Sequence, residues 1–370
     1  MYCKVVVPLD GSELAEGVLP HVAEMTRDRK GLVHLLSVVP PLKGIVPAFV
    51  DMRSSSAGAQ EEKRRIEREL QEYLQAVASR FEPAAAEVQV DVRFGRPADE
   101  ILAFASKVGA DLIAMSTHGR SGISRWVFGN VADKVLRGAT CPVLLVRAGQ
   151  PERPVVYQRI LVPLDGSELA EQVLPHVKAL VHLNRASPLA ESPPASPLQG
   201  ATPASPLKGV APTSPLKGVV PTSPLKGVVP TSPLKGGQRG VMHVYLISVL
   251  TTGLGDRTVA LLTSYPPGLQ LATTALHHAE IQLRAYLRSV AATLREQGAV
   301  AHVAVQQGSP ADEILAHAAQ VEADLIAMTT HGLSGTGRWV YGNVAGKVLQ
   351  GAPCPVLLVR PTSEQGENGL

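Results

Sequence analysis

Aromatic side chains make up only 4% of this 370-residue chain, and its formal net charge is +3. So few stacking surfaces and so small a basic excess exclude the footprint of a nucleic-acid binder. Cysteine is scarcer still: Cys3, Cys141 and Cys354 stand alone in strand-like surroundings, with no CxxC pair and no Cys/His cluster. Neither a disulfide framework nor a zinc site is indicated, and a reducing cytoplasm is the expected compartment. No apolar run approaches the length that spans a bilayer, and the chain opens on CKVVVPLD instead of a basic and then apolar leader. An unexported protein without a membrane partner is expected. Catalytic signatures are missing too: there is no G-x4-G-K-(S/T) and no G-x-S-x-G, and S-x-x-K occurs solely as the SPLK of a Ser-Pro repeat tract, which argues against a P-loop nucleotidase and against covalent catalysis. His118 and His331 have no carboxylate or second histidine at ligand spacing. Each reads as a structural turn histidine, and no catalytic residue or metal ligand is assigned.

What the chain does have, it has twice. VPLDGSELAE occurs at Val7 to Glu16 and again at Val162 to Glu171. Gly95 to Gly122 returns as Gly308 to Gly335, and Arg125 to Arg147 returns as Arg338 to Arg360. The functional unit is therefore about half a chain. The offset between copies grows from 155 residues at VPLDG (Val7 to Val162) to 213 at THG (Thr117 to Thr330). Most of the added length is one tract, Asn184 to Gly240, in which Ser-Pro recurs every nine residues from Ser187 to Ser232 with the mature unit SPLKGVVPT. The expected organisation is a first domain at 1–147, a linker at 148–156 and a second domain at 157–361 interrupted by 184–240. A flexible tail at 362–370 completes it.

Strand and helix periods alternate in each copy. Lys4 to Leu9, Leu32 to Val39, Glu87 to Arg93, Asp111 to Ser116 and Pro142 to Val146 read as strands. Between them, Ser12 caps a helix that Pro20 is expected to bend or to deprive of one hydrogen bond, and a long charged helix carries Ile66, Leu70, Leu74 and Val77 on one face. Pro97 and Val131 open two more. Near-continuous apolar strands in β-α alternation require a parallel sheet covered on both faces. Ligands of such sheets bind beyond the carboxyl ends of the strands, where the strand order reverses.

Three loops of the first copy lie at that edge: Pro8 to Ser12, Val38 and Val39, and Ser116 to Asn130. In the third, Gly119, Gly122 and Gly129 permit close backbone approach and Asn130 begins a helix, an arrangement that suits an anion such as phosphate. Arg120 and Arg125 can add charge-assisted contacts. The second copy keeps Gly332, Gly335, Gly342, Asn343 and Arg338 but has Leu333 in place of Arg120, which predicts a weaker grip. The plainer alternative is that the glycines only permit tight turns and the arginines are solvated. Glu13 and Glu16 read as a solvated face or as first-turn charges.

The opening VPLDGS, the GxPADEIL helix start, the DLIAM(S/T)THG strand and loop, and the closing CPVLLVR strand, in that order, resemble the universal stress proteins in their tandem form. The resemblance covers nearly the whole chain outside the Ser-Pro tract and the C-terminus. It implies two flavodoxin-like (Rossmann-like) α/β domains, each a five-stranded parallel sheet of order 3-2-1-4-5. It also implies ATP as cofactor, with Mg2+ an optional companion, bound through G-x2-G-x9-G-(S/T). That motif falls on Ser116, Gly119, Gly129 and Asn130, and on Thr329, Gly332, Gly342 and Asn343. Spacing is kept, while Ser116 and Thr329 replace the first glycine and the asparagines replace the final Ser/Thr. His118 and His331 lie inside the motif, and Pro8 with Pro163 precede the turn. The resemblance further places Asp10 and Asp165, with backbone at Val38 and Val249, near the adenine. For the aspartates the alternative is a turn that merely joins strand to helix.

A nucleotide-responsive stress regulator is the function implied. A non-nucleotide interaction protein on the same fold, or a slow ATP hydrolase, are the rivals. The partners expected are an adenine nucleotide and unidentified proteins. The fifth strands are expected to pair within the chain as a pseudo-dimer, which leaves further homodimerisation open. The Ser-Pro tract reads as disordered or polyproline-like, on the side away from the nucleotide edge; it is a tolerated repeat, a multivalent docking arm or a phosphorylation site.

Overall fold

The computed structural model describes residues 2–27, 30–41, 57–81, 86–117, 129–147, 155–185, 240–251, 266–330 and 342–361. In the first half, β1 (Lys4–Pro8), β2 (Leu32–Val39), β3 (Glu87–Phe94), β4 (Leu112–Ser116) and β5 (Val143–Val146) alternate with helices. Those helices are α1 (Glu13–Glu16), α2 (Leu19–Thr26), α3 (Ala57–Arg80), α4 (Pro97–Val108) and α5 (Asn130–Gly138). The second half repeats the order with β6 (Arg159–Pro163), α6 (Glu168–Glu171), α7 (Leu174–Arg185), β7 (His243–Leu250) and α8 (Pro266–Glu296). It continues with β8 (Val300–Gln307), α9 (Pro310–Gln320), β9 (Leu325–Thr329), α10 (Asn343–Gly351) and β10 (Val356–Val359).

All ten strands form one sheet, β3-β2-β1-β4-β5-β10-β9-β6-β7-β8. Each half is a parallel 3-2-1-4-5 sheet of the flavodoxin-like kind. The halves join where β5 and β10 run antiparallel, Leu144 opposite Leu357. Alternate residues feed two cores: Val5, Val7, Leu144 and Leu357 lie on one face, and Val6, Val143, Leu145 and Leu358 on the other. Both clusters run unbroken across the seam. Strands buried on two faces cannot alternate apolar with polar, hence VVV in β1 and VLLV in β5 and β10.

Pro20 does not bend a helix. The chain breaks at Gly17 and Val18, and Pro20 sits in the first turn of α2, where a missing N–H costs nothing. The duplicated second half breaks in the same way between α6 and α7.

The halves exchange hydrogen bonds at equivalent positions. The Tyr2 hydroxyl meets His176 Nδ1 at 3.1 Å, and the Tyr157 hydroxyl meets His21 Nδ1 at 2.8 Å. Tyr157 repeats Tyr2 and His176 repeats His21, so each half lends a tyrosine to the other's histidine, the self-complementary pattern of a two-fold contact. Tyr2, His21 and Tyr157 are buried. Across the same boundary Arg27 Nη2 donates to the Leu183 carbonyl at 3.0 Å.

The added tract begins later than the repeats suggest. Helix α7 continues to Arg185, and Asn184 is buried within it. The tract itself lies outside the described residues, but its two ends are tied: Asn184 Nδ2 donates to the Gly240 carbonyl at 2.9 Å. Replacing residues 186–239 with a short Gly-Ser link is therefore expected to leave the urea midpoint unchanged or raise it slightly, since closing a shorter loop costs less entropy. A loss above about 1 kcal/mol, larger than a neutral surface change, would show that the segment packs against the fold.

Candidate functional site

The loop after β1 is built from its own side chains. Asp10 Oδ1 accepts from the Ser12 amide at 3.1 Å and from Ser12 Oγ at 2.6 Å, and Ser12 Oγ in turn accepts from the Ala15 amide at 3.2 Å. Gly11 between them has φ of 81°, a left-handed conformation that only glycine adopts cheaply. The second half rebuilds this turn, with 3.0, 2.6 and 3.1 Å at Asp165, Ser167 and Ala170, and φ of 83° at Gly166. The turn-forming role weighed for both aspartates is thus real. It also fixes each carboxylate just past the carboxyl end of β1 or β6, two residues after Pro8 or Pro163.

Sheet order gathers the other residues. Strand β1 lies between β2 and β4, as β6 lies between β7 and β9, so the Asp10 turn stands with the half-buried Val38 on one side and Ser116 on the other. Val249 and Thr329 flank Asp165 in the same way, Thr329 being buried. Gly129 returns to this edge: a Cβ placed on it would lie 3.6 Å from the Thr117 carbonyl oxygen. For Gly342 the corresponding atom is the Thr330 carbonyl oxygen, at 3.5 Å. His118, Gly119, Arg120, Gly122 and Arg125, with His331, Gly332, Gly335 and Arg338, fall outside the described residues.

Two features of these glycines matter. Their backbones, φ −55° in both, are ones that alanine adopts readily, and a methyl group would meet only ordinary contacts. The described fold therefore does not demand glycine at either position. Each is moreover the N-cap itself, a residue with no side chain to cap the helix that follows. Asn130 and Asn343 are the first helical residues, one position past the N-cap, and are exposed. An uncapped helix start presents N–H groups and a positive dipole end to an anion.

A difference between the halves lies in the first turn of these helices, and the loop comparison of Arg120 with Leu333 does not capture it. Helix α5 carries Asp133 there, paired with Arg137 at 2.9 and 3.1 Å. Helix α10 has Gly346 at that position and no acidic residue in its first turn. A carboxylate at a helix N-terminus occupies the same favourable field that a phosphate would use. Aligning the two copies shows the Asp/Gly difference; its meaning needs the helix start.

Among the described residues, no group of three or more His, Cys, Asp or Glu is arranged to hold a metal ion, and no helix is long and apolar enough to cross a membrane.

A family model described as the universal stress protein family matches residues 1–147 and 248–360. A universal stress protein of Methanocaldococcus jannaschii is 32% identical over 152 residues, 41% of this chain and 86% of that protein. Universal stress protein G of Shigella flexneri is 30% identical over 149 residues, 40% of this chain and all (100%) of that protein. The crystal structure of a universal stress protein from Archaeoglobus fulgidus has a TM-score of 0.57 over 98% of this chain and 97% of its own, at 18% identity, a likeness of fold. Each of the two sequence relatives accounts for one half, whereas the family match spans both halves of the duplicated sheet. The chain belongs to the universal stress protein family, as a tandem of two such units.

Proposed function

We propose that each half binds an adenine nucleotide, ATP foremost, and that occupancy biases the conformation or partner choice of a stress regulator. The observation that carries this reading is the pair Gly129 and Gly342. Each keeps a glycine where the fold accepts alanine, at an uncapped helix start on the sheet edge where strand order reverses. The open space above such a glycine suits a phosphate drawn close to the backbone. Asp10 and Asp165, with Val38 and Val249, would hold the nucleoside end across the same edge. Ser116, His118, Gly119, Arg120 and Gly122, with Thr329, His331, Gly332 and Gly335, would complete the two loops around the phosphates. Mg2+ would enter with ATP as the nucleotide's own counter-ion.

Calorimetric titration of the full chain with ATP tests it. Gly129→Ala and Gly342→Ala are each expected to weaken one site by tenfold or more, with the unfolding temperature unchanged because both backbones tolerate alanine. Absence of ATP binding with and without Mg2+ would discard the reading in favour of an interaction protein on the same fold.

A further inference from the structure

The turn that presents Asp10 does not end at Ser12. Its capped helix α1 runs to Glu16, whose carboxylate accepts from the Tyr73 hydroxyl at 2.9 Å and from Arg80 Nη2 at 2.8 Å. Tyr73 and Arg80 both lie on α3, whose Leu74 and Val77 are anchored in the core. A continuous set of contacts thus joins the Asp10 carboxylate, through Ser12 and α1, to a rigid helix. Glu16 is 18% exposed and Arg80 62% exposed, so the charge pair is solvent-screened and the tyrosine bond carries more of the restraint. Burial and Glu16 together push the Tyr73 phenol well above its ordinary range, and Asp10 adds in the same direction. The aspartate turn and the clamp therefore share one electrostatic neighbourhood.

In the second half the clamp is incomplete and looser. Tyr286 repeats Tyr73 and Glu171 repeats Glu16, while Thr293 stands at the position of Arg80. Burial first, and then a contact with Glu171, raise the Tyr286 phenol, yet that contact falls short of good hydrogen-bond geometry and leaves the buried hydroxyl without a well-formed partner. Helix α8 still covers the turn, with Leu283 Cδ2 3.8 Å from where a Cβ on Gly166 would stand.

We infer that Glu16, Tyr73 and Arg80 are positioning residues that hold the Asp10 turn in its nucleotide-binding shape, and that the matching clamp of the second half, Glu171 with Tyr286 and no arginine, is looser. The inference rests on the nucleotide reading above for its purpose, but not for its geometry. Glu16, which the sequence pattern places on a solvated face, is thus one end of a tether.

Hydrogen exchange of the full chain separates the two claims. Tyr73→Phe and Glu16→Ala are expected to speed exchange of the amides from Gly11 to Glu16 about fivefold, the effect of one hydrogen bond, with the global unfolding midpoint held. Glu16→Gln is expected to restore slow exchange, because its amide oxygen still accepts from Tyr73. Tyr286→Phe is expected to leave the exchange of Gly166 to Glu171 unchanged. With the second site silenced by Gly342→Ala, Tyr73→Phe is expected to weaken ATP at the first site by a similar factor. Unchanged exchange in Tyr73→Phe and Glu16→Ala overturns the clamp. Faster exchange with unchanged ATP affinity overturns the positioning role. If the wild type binds no ATP, the function proposed above falls, and exchange still accepts or rejects the clamp.

Discussion

Tyr157→Ala is expected to cost this protein about 3–5 kcal/mol of unfolding free energy, the range for truncating a buried aromatic ring. Tyr157 is 3% exposed, packs into the core that runs under both halves, and meets His21 across the boundary at 2.8 Å. The loss has two parts that conservative variants separate. Tyr157→Phe keeps the ring and removes only the hydroxyl, leaving the buried His21 Nδ1 without its partner, and is expected to cost about 1–3 kcal/mol. Urea denaturation of the two variants checks the order. A Tyr157→Ala protein within 1 kcal/mol of wild type would contradict the placement of this ring in the core. Tyr2, at the equivalent position in the first half and 2% exposed, is expected to behave in parallel.

Acid is expected to produce a comparable loss through the histidine of the same pair. Burial lowers the His21 pKa from 6.5 to about 4. As pH falls through 6.5 the unfolded chain takes up a proton at this residue, while the folded chain does not until about pH 4. The unfolded state binds more protons throughout that window, so stability falls with falling pH there and is independent of this group above it. At 1.36 kcal/mol per unit the drop attributable to His21 reaches about 3 kcal/mol by pH 4. Burial shifts His176, its counterpart, in the same direction. Denaturation midpoints measured from pH 7 to pH 4 on wild type and on His21→Gln check this. The variant is expected to start lower and to lose distinctly less over that interval. Parallel curves would show that His21 is not the titrating group.

Much of the fold was legible because it depends on periods that a sequence displays. Apolar runs such as VVV and VLLV announced strands buried on two faces, and the spacing of Leu74 and Val77 announced the core-facing side of α3. The Asp10-Gly11-Ser12 turn was equally plain, since an Asx turn, a left-handed glycine and a serine cap are chosen by neighbours in the chain. Gly129 and Gly342 were visible as positions, and the structure adds that their backbones would accept a side chain, so a tight turn does not account for them. The break before Pro20 was misread, because a proline in a helical pattern marks a bend or a first turn equally well until the helix start is known.

Polar residues on apolar helix faces were the blind spot. His21 follows Leu19 on α2, and Glu16 closes a short acidic helix; period alone tells which way such a residue points, not what stands opposite. Their partners are 136 residues away for His21 and 57 residues away for Glu16. The sequence by itself determined the duplication, the α/β class and the parallel sheet, because these follow from local conformation and from where apolar surface has to go, while the strand order was implied by the family resemblance. Only the tertiary structure decided how the halves exchange tyrosine for histidine and which aspartate turn is tied to the long helix through Glu16, because each of these depends on groups brought together by packing and not by neighbourhood in the chain.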